Sequence, residues 1–254
     1  MHPTSELESE VMNMRHIALL TLLFSAFAFP DLALAQAEES TSGLNYSLVD
    51  LIKFGGWVGY IIIALSVAAV ALVVEYSLSI RMKNLAPQDD VDSLTTMVAG
   101  GSYDDVTQRL KEENCSFLAT VVAKGVREHD RGYDTVVKHM EDASDEQTGR
   151  LLRKIEHLNL IANIAPMLGL LGTVMGMVAS FNQISVSVGG VDPRRLAGGI
   201  FEALMTTVMG LIVAIPSLYA YGIFRNRVDS VVSATSILAE DIVSPLKNGA
   251  AKKG

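Results

Sequence analysis

The chain is expected to be all-α: a three-span helical membrane protein whose long helices extend into the cytoplasm and which assembles as a homo-oligomer. Half of its 254 residues are hydrophobic and its mean hydropathy is positive, which is too apolar for a soluble domain of ordinary charge content. Three windows, Phe54 to Val74, Leu158 to Phe181 and Ala203 to Phe224, contain no Asp, Glu, Lys, Arg or His, and each exceeds the roughly 20 residues that cross a bilayer. Between and after these windows the sequence keeps a helical rhythm with few breakers.

The first apolar run, Ile17 to Phe29, is too short for a span. Arg15 and His16 precede it, and Ala33-Leu34-Ala35 and Ala35-Gln36-Ala37 follow it, a layout that suits signal peptidase. Residues 1–35 therefore read as a signal peptide, with an uncleaved fourth helix as the alternative and Met12 or Met14 as a candidate start. A periplasmic segment over 36–53 leads to the first span, 54–80.

Basic residues near the span ends sort to one side. Arg81, Lys83, Arg150, Arg153, Lys154, Arg225 and Arg227 flank one face, and Lys53, Arg194 and Arg195 the other, so the first face is cytoplasmic. The N-terminus is then periplasmic and the C-terminus cytoplasmic, which agrees with a cleaved signal peptide. Residues 81–157 form a cytoplasmic helical domain. Ser102-Tyr103-Asp104-Asp105 reads as a helix start, and Gly100-Gly101 and Arg131-Gly132 as breaks. From Tyr133 no breaker intervenes before Pro166, so one helix of about 50 residues, roughly 75 Å long, runs from the cytoplasm through the second span, 158–185.

A periplasmic loop over 186–199 precedes the third span, 200–224, and a cytoplasmic helix and tail, 225–254, follow it. In that tail Val228, Val231, Thr235, Leu238 and Ile242 recur at spacings of three and four, a narrow apolar stripe on a polar helix. Helices this long and thinly apolar call for neighbours from other copies of the chain, hence the expected oligomer.

Composition excludes several functions. The single cysteine, Cys115, forms no internal disulfide and no multi-cysteine metal site, and the five histidines lack tight ligand spacing, so no metal and no cofactor is expected. A net charge of −8 argues against nucleic acid. The spans offer no nucleophile paired with a base, so the protein is not expected to be an enzyme.

The second span, APMLGLLGTVMGMVASF from Ala165, carries glycines where a merely buried helix would use leucine. At alternating steps of three and four it reads Ala162, Ala165, Gly169, Gly172, Gly176, Ala179, Gln183. The third span reads Ala203, Thr207, Gly210, Ala214, Ser217, Tyr221. Small edges of this kind allow close helix approach in lipid, so ordinary helix packing is one reading and a polar partner the other. Thr173, Ser180, Thr206 and Thr207 favour the partner. So do Pro166 and Pro216, kink sites that free the carbonyls of Ala162 and Ile212 within the bilayer. Glu202, at the outer start of the third span, is a membrane-edge carboxylate and hence a functional candidate, or else a headgroup residue near Arg194 or Arg195. Glu75 is weaker, because it can pair with Arg81 or Lys83. No carboxylate or imidazole lies at mid-depth, so proton movement would need one from another chain.

The stretches APMLGLLGTVMGMVASF and GGIFEALMTTVMGLIVAIPSLYAYGIF, in this order and topology, resemble the ExbB/TolQ/MotA proton-channel family, ExbB-like branch, from about Trp57 to the tail. The extension before Tyr46 departs from its shortest members. The resemblance implies a bacterial inner-membrane homopentamer around an ExbD-like or TolR-like single-span partner that supplies a membrane aspartate. Proton flow would then energise a TonB-like or TolA-like protein, for outer-membrane uptake or for envelope integrity. By motif, Thr173, Thr207 and Glu202, with Thr206 beside them, correspond to the proton pathway. Gly169, Gly172, Gly176 and Gly210, with Ala165, Ala203 and Ala214, would form a smooth partner-facing or packing wall.

Overall fold

The structure is a computed structural model, and it describes residues 56–111, 115–186 and 193–250. The expected signal peptide and N-terminal segment lie outside the described residues. The described residues are helical, with no strand among them: α1 (Gly56–Ser79), α2 (Met82–Leu85), α3 (Gln88–Ala99), α4 (Tyr103–Gln108), α5 (Phe117–Val126), α6 (Tyr133–Val186) and α7 (Pro193–Ala250). α1, α6 and α7 are each long and apolar enough to cross a membrane. The all-α, three-span expectation therefore holds.

The elements follow from local chemistry. Gly101 (φ +75°) and Gly132 (φ +99°) take up backbone conformations that side chains resist, and they break the chain before α4 and α6. Ser116 Oγ accepts from the Ala119 amide at 3.1 Å and caps α5. α6 then runs 54 residues without interruption, through Pro166. α7 begins at Pro193, inside the stretch expected as a loop, because proline at a first helical position gives up no hydrogen bond and presets φ.

The chain divides into two compact units. The polar unit holds Glu75–Glu156 and the residues from Gly222 onward. Its core joins Leu94 and Val98 of α3, Val106 of α4, Leu118, Val122 and Val126 of α5, Val136 and Met140 of α6, and Ala239, Ile242 and Val243 of α7. Each fully buried aliphatic side chain contributes about 1.5–3 kcal/mol. Gly125 brings α5 so close to α6 that an added Cβ would lie 3.0 Å from the Val136 oxygen and would overlap Met140. Tyr76 donates its hydroxyl to the Lys154 carbonyl at 2.5 Å and meets the Phe224 ring edge-on, with centroids 5.9 Å apart. Arg81 Nε donates to the Ser77 carbonyl at 2.8 Å.

The tail stripe is buried as its spacing predicts: Val228, Thr235 and Ile242 are inaccessible, and Val231 and Leu238 are half-covered. Its cover, however, comes from the same chain. The stripe completes the polar unit's core and so carries no argument for an oligomer, because periodicity marks a buried face without saying whose residues bury it.

The apolar unit holds the described residues up to Val74 and His157–Tyr221. α1 turns Val58, Ile62 and Ala69 inward. Only 22%, 28% and 28% of the three spanning windows is buried, so most of their apolar surface, including Met167, Val178, Phe181, Ile215 and Leu218, must be covered by lipid or other chains.

Candidate functional site

The second and third spans meet along the small residues. A Cβ on Gly169 would lie 2.9 Å from both the Thr206 oxygen and the Thr207 Cα, and one on Gly176 would lie 2.6 Å from the Ala203 Cβ. One on Gly210 would lie 2.5 Å from the Ala165 oxygen, and one on Gly172 would overlap the Thr206 hydroxyl. Such separations exclude any side chain at these positions, so Gly169, Gly172, Gly176 and Gly210, with Ala165 and Ala203, make the intrachain contact between α6 and α7. Ala214 is buried on the same side of α7. Each glycine costs roughly 1 kcal/mol of helix propensity relative to alanine, and close contact between helices offsets that cost in lipid.

The buried stripe of α7 runs Ala203, Thr206, Met209, Gly210, Val213, Ala214, Ser217 and Ala220. It shares Ala203, Gly210, Ala214 and Ser217 with the stripe expected from spacing, but Thr206 and Ala220 are buried where Thr207 and Tyr221 were expected, and the consequence falls on the two threonines. Thr206, placed in the proton pathway from its position, is 3% exposed at the helix contact. Its hydroxyl lies 2.7 Å from the Ala203 oxygen and 3.1 Å from the Gly169 oxygen of α6. That is a packing and cross-linking position rather than a pathway position.

The other span hydroxyls mostly bond back to their own helix, as isolated ones do. Thr173 donates to the Leu170 carbonyl at 2.7 Å, Ser180 to Gly176 at 2.9 Å and Ser217 to Val213 at 2.7 Å. Thr207 differs. Its Oγ1 is buried and has no hydrogen-bond partner, and among the described residues no other buried side-chain nitrogen or oxygen shares that state. A hydroxyl left so costs about 1–3 kcal/mol, which makes it a candidate for a group supplied from outside this chain.

Glu202 is exposed and lines a groove of about 490 Å³ together with Gly176, Ala179, Ser180, Gln183, Gly198 and Gly199. An added Cβ on Gly199 would overlap the Ser180 hydroxyl, so glycine keeps α7 close to α6 at this end. Gln183 and the Gly198-Gly199 pair were not singled out as site residues, whereas Ser180 was noted as one of the hydroxyls favouring a partner. The signal was present in a polar end to the second seam and two glycines just before Glu202. Pro166 and Pro216 both lie within unbroken helices, and neither has an amide proton for the oxygen four residues back. The groove presents the Glu202 carboxylate, the Gln183 amide and the Ser180 hydroxyl to a small polar group, whereas the unbonded Thr207 hydroxyl is not among its lining residues.

The MotA/TolQ/ExbB proton channel family matches residues 113–236. The chain is 24% identical over 194 residues to a biopolymer transport protein ExbB homolog of Methanothermobacter thermautotrophicus, covering 76% of this chain and 68% of that one. It is 38% identical over 82 residues to biopolymer transport protein exbB1 of Vibrio cholerae, 31% of this chain and 36% of that one. It is 40% identical over 79 residues to biopolymer transport protein ExbB of Helicobacter pylori, 31% of this chain and 54% of that one.

Proposed function

Because this chain belongs to the MotA/TolQ/ExbB proton channel family, in its ExbB-like branch, we propose that it is a subunit of a proton-driven inner-membrane motor. The observation that carries the reading is the unpartnered, buried Thr207 hydroxyl. A polar atom kept unsatisfied inside an apolar helix pair fits a site completed from elsewhere, and a carboxyl group passing along α7 would complete it. Glu202 and its groove then form the outer approach to that position.

The spans lack a mid-depth carboxylate, so the carrier is an aspartate of an ExbD-like or TolR-like single-span partner. Five copies of this chain enclose it, with the N-terminus periplasmic and the C-terminus cytoplasmic. The large exposed apolar area of the spans is consistent with contacts between copies and with lipid. Proton flow down its gradient moves the partner, and the motion energises a TonB-like protein for outer-membrane uptake; a TolA-like protein serving envelope integrity is the sister assignment. In this reading the chain is not an enzyme and uses no cofactor.

A passive scaffold is the second reading, favoured by the intrachain use of the glycine seam. Glu202→Gln separates the two. The motor reading expects a Glu202→Gln chain that assembles, retains a co-purifying single-span protein with a membrane aspartate, and fails in proton-gradient-dependent uptake. Full uptake by that variant, or purification with no such protein, refutes the motor reading.

A further inference from the structure

The inference rests on the motor reading and extends its path inward. Glu202 and its groove serve the outer side and Thr207 the middle, while the inner side carries no assigned group. Thr207 lies level with Gly169, whose added Cβ would stand 2.9 Å from the Thr207 Cα. From Gly169 back to His157, the last titratable residue before the span, α6 covers about 18 Å at 1.5 Å per residue. Asn163 sits halfway along that stretch.

Among the described residues of α6 from Leu158 to Phe181, Asn163 is the exposed polar one, and its exposed neighbours Leu160, Ile164, Met167 and Leu170 are apolar. An amide turned to lipid is costly, so residues of this kind face other helices or water. The Asn163 nitrogen donates to the Asn159 carbonyl at 2.8 Å and to the Asn159 side-chain oxygen at 3.1 Å. A backbone carbonyl only accepts, which settles which end of the amide is the nitrogen. Both N–H groups are thereby used, and what Asn163 presents outward is its Oδ1, an acceptor.

Asn163 also lies in line with hydroxyls farther along the helix. At alternating steps of four and three α6 reads Asn159, Asn163, Pro166, Leu170, Thr173, Met177 and Ser180, which is one edge of the helix. Ser180 lines the Glu202 groove. Thr173 and Ser180 give their hydroxyl protons to the Leu170 and Gly176 carbonyls, so their oxygens are left with lone pairs alone. Pro166, between Asn163 and Thr173, leaves the Ala162 carbonyl without its helical donor. The edge is thus a file of acceptors running from the outer groove toward the cytoplasmic end, and a proton in transit, on hydronium or on a carboxyl group, arrives as a donor.

We propose that Asn163, braced by Asn159, is the inner acceptor of the proton path, and that this edge of α6 borders water between the level of Thr207 and the cytoplasm.

The test uses the full chain in inside-out membrane vesicles from cells where each variant replaces the native chain. In a Cys115→Ser background, Asn163→Cys and Leu160→Cys are treated with a charged, membrane-impermeant methanethiosulfonate. Leu160 is nearer the cytoplasm but off the edge, so depth alone would make its cysteine the faster to react; the proposal expects the opposite order. Asn163→Leu keeps nearly the same shape and removes the acceptor, so proton uptake by the vesicles falls about fivefold, the factor one net hydrogen bond is worth, and Asn163→Ser, which keeps an oxygen, restores it. These two variants decide the matter if the cysteine variant does not fold. Leu160→Cys reacting as fast as Asn163→Cys or faster overturns the proposal, and so does full uptake by Asn163→Leu. Native vesicles that take up no protons refute the motor reading instead, and the order of labelling still decides whether this edge meets water.

Discussion

Gly210 of α7 comes so close to Ala165 of α6 that a methyl group on it would stand 2.5 Å from the Ala165 carbonyl oxygen and 3.2 Å from its carbonyl carbon. Backbone, unlike a flexible side chain, cannot move aside cheaply.

Gly210→Ala is therefore expected to push the two spans apart, at about 1–3 kcal/mol for overpacking. Gly222→Ala is the matched control, because nothing lies within 4 Å of the added atom. It gains up to about 1 kcal/mol of helix propensity. Thermal unfolding of both variants in detergent checks the contrast, and a Gly210→Ala chain as stable as its control would sink the close-contact account.

Thr207→Val should separate stability from function. Removing a buried hydroxyl that bonds nothing relieves its desolvation, so the variant is expected to be as stable as the native chain or about 1 kcal/mol more stable. Gradient-dependent uptake should nonetheless be lost. Thr173→Val removes only a bond to the helix's own Leu170 carbonyl, and a loss of uptake there with full assembly would place Thr173 on the pathway as well.

Tyr76→Phe keeps the edge-on contact with Phe224 and deletes the donor to the Lys154 carbonyl. The expected cost is about 0.5–1.5 kcal/mol, read as a lower denaturant midpoint with an unchanged slope. Tyr76→Ala loses the ring too and should cost about 3–5 kcal/mol.

Glu146 carries the pH prediction. The hydrogen bond from Lys124, at 2.5 Å, and then the charges of Lys124 and Arg150 hold its carboxyl below the ordinary value of 4.5. A folded-state value below the unfolded one means stability that is present above about pH 4.5 and is lost as the pH falls through the lowered value. The side chains are exposed, so the effect is small. Melting curves of the native chain and Lys124→Met should converge as the pH drops below 4.5. A gap that stays constant down to acid would rule out the pair as its source.

Much of the fold could be read from the residues. Charge-free windows gave the spanning helices, Gly101 and Gly132 gave the breaks, and spacing gave the buried stripe of the tail. The helix Phe117–Val126 was not anticipated as the centre of a core, although its run of apolar residues, too short for a span, pointed to it. Two further limits share one cause. The tail stripe was expected to meet other copies and meets its own chain, and the glycine seam was left open between helix packing and a partner, a choice that spacing could not make and that the neighbouring helix decides by filling it. Periodicity assigns a residue to a face, whereas the identity of what lies against that face depends on distant sequence. Thr206 and Thr207 differ by one position, and only packing at Gly172 decided which of them turns inward.

The polar unit's core draws Val122 and Val126 together with Ala239, Ile242 and Val243, residues translated long after them. At about 5–20 residues per second, the interval between the two sets is on the order of ten seconds, during which the ribosome has also threaded two hydrophobic segments into the translocon. Throughout that time the newborn valines of α5 have no final cover. The core therefore closes only once the last stretch of α7 has been made, whatever earlier structure α5 has adopted by itself.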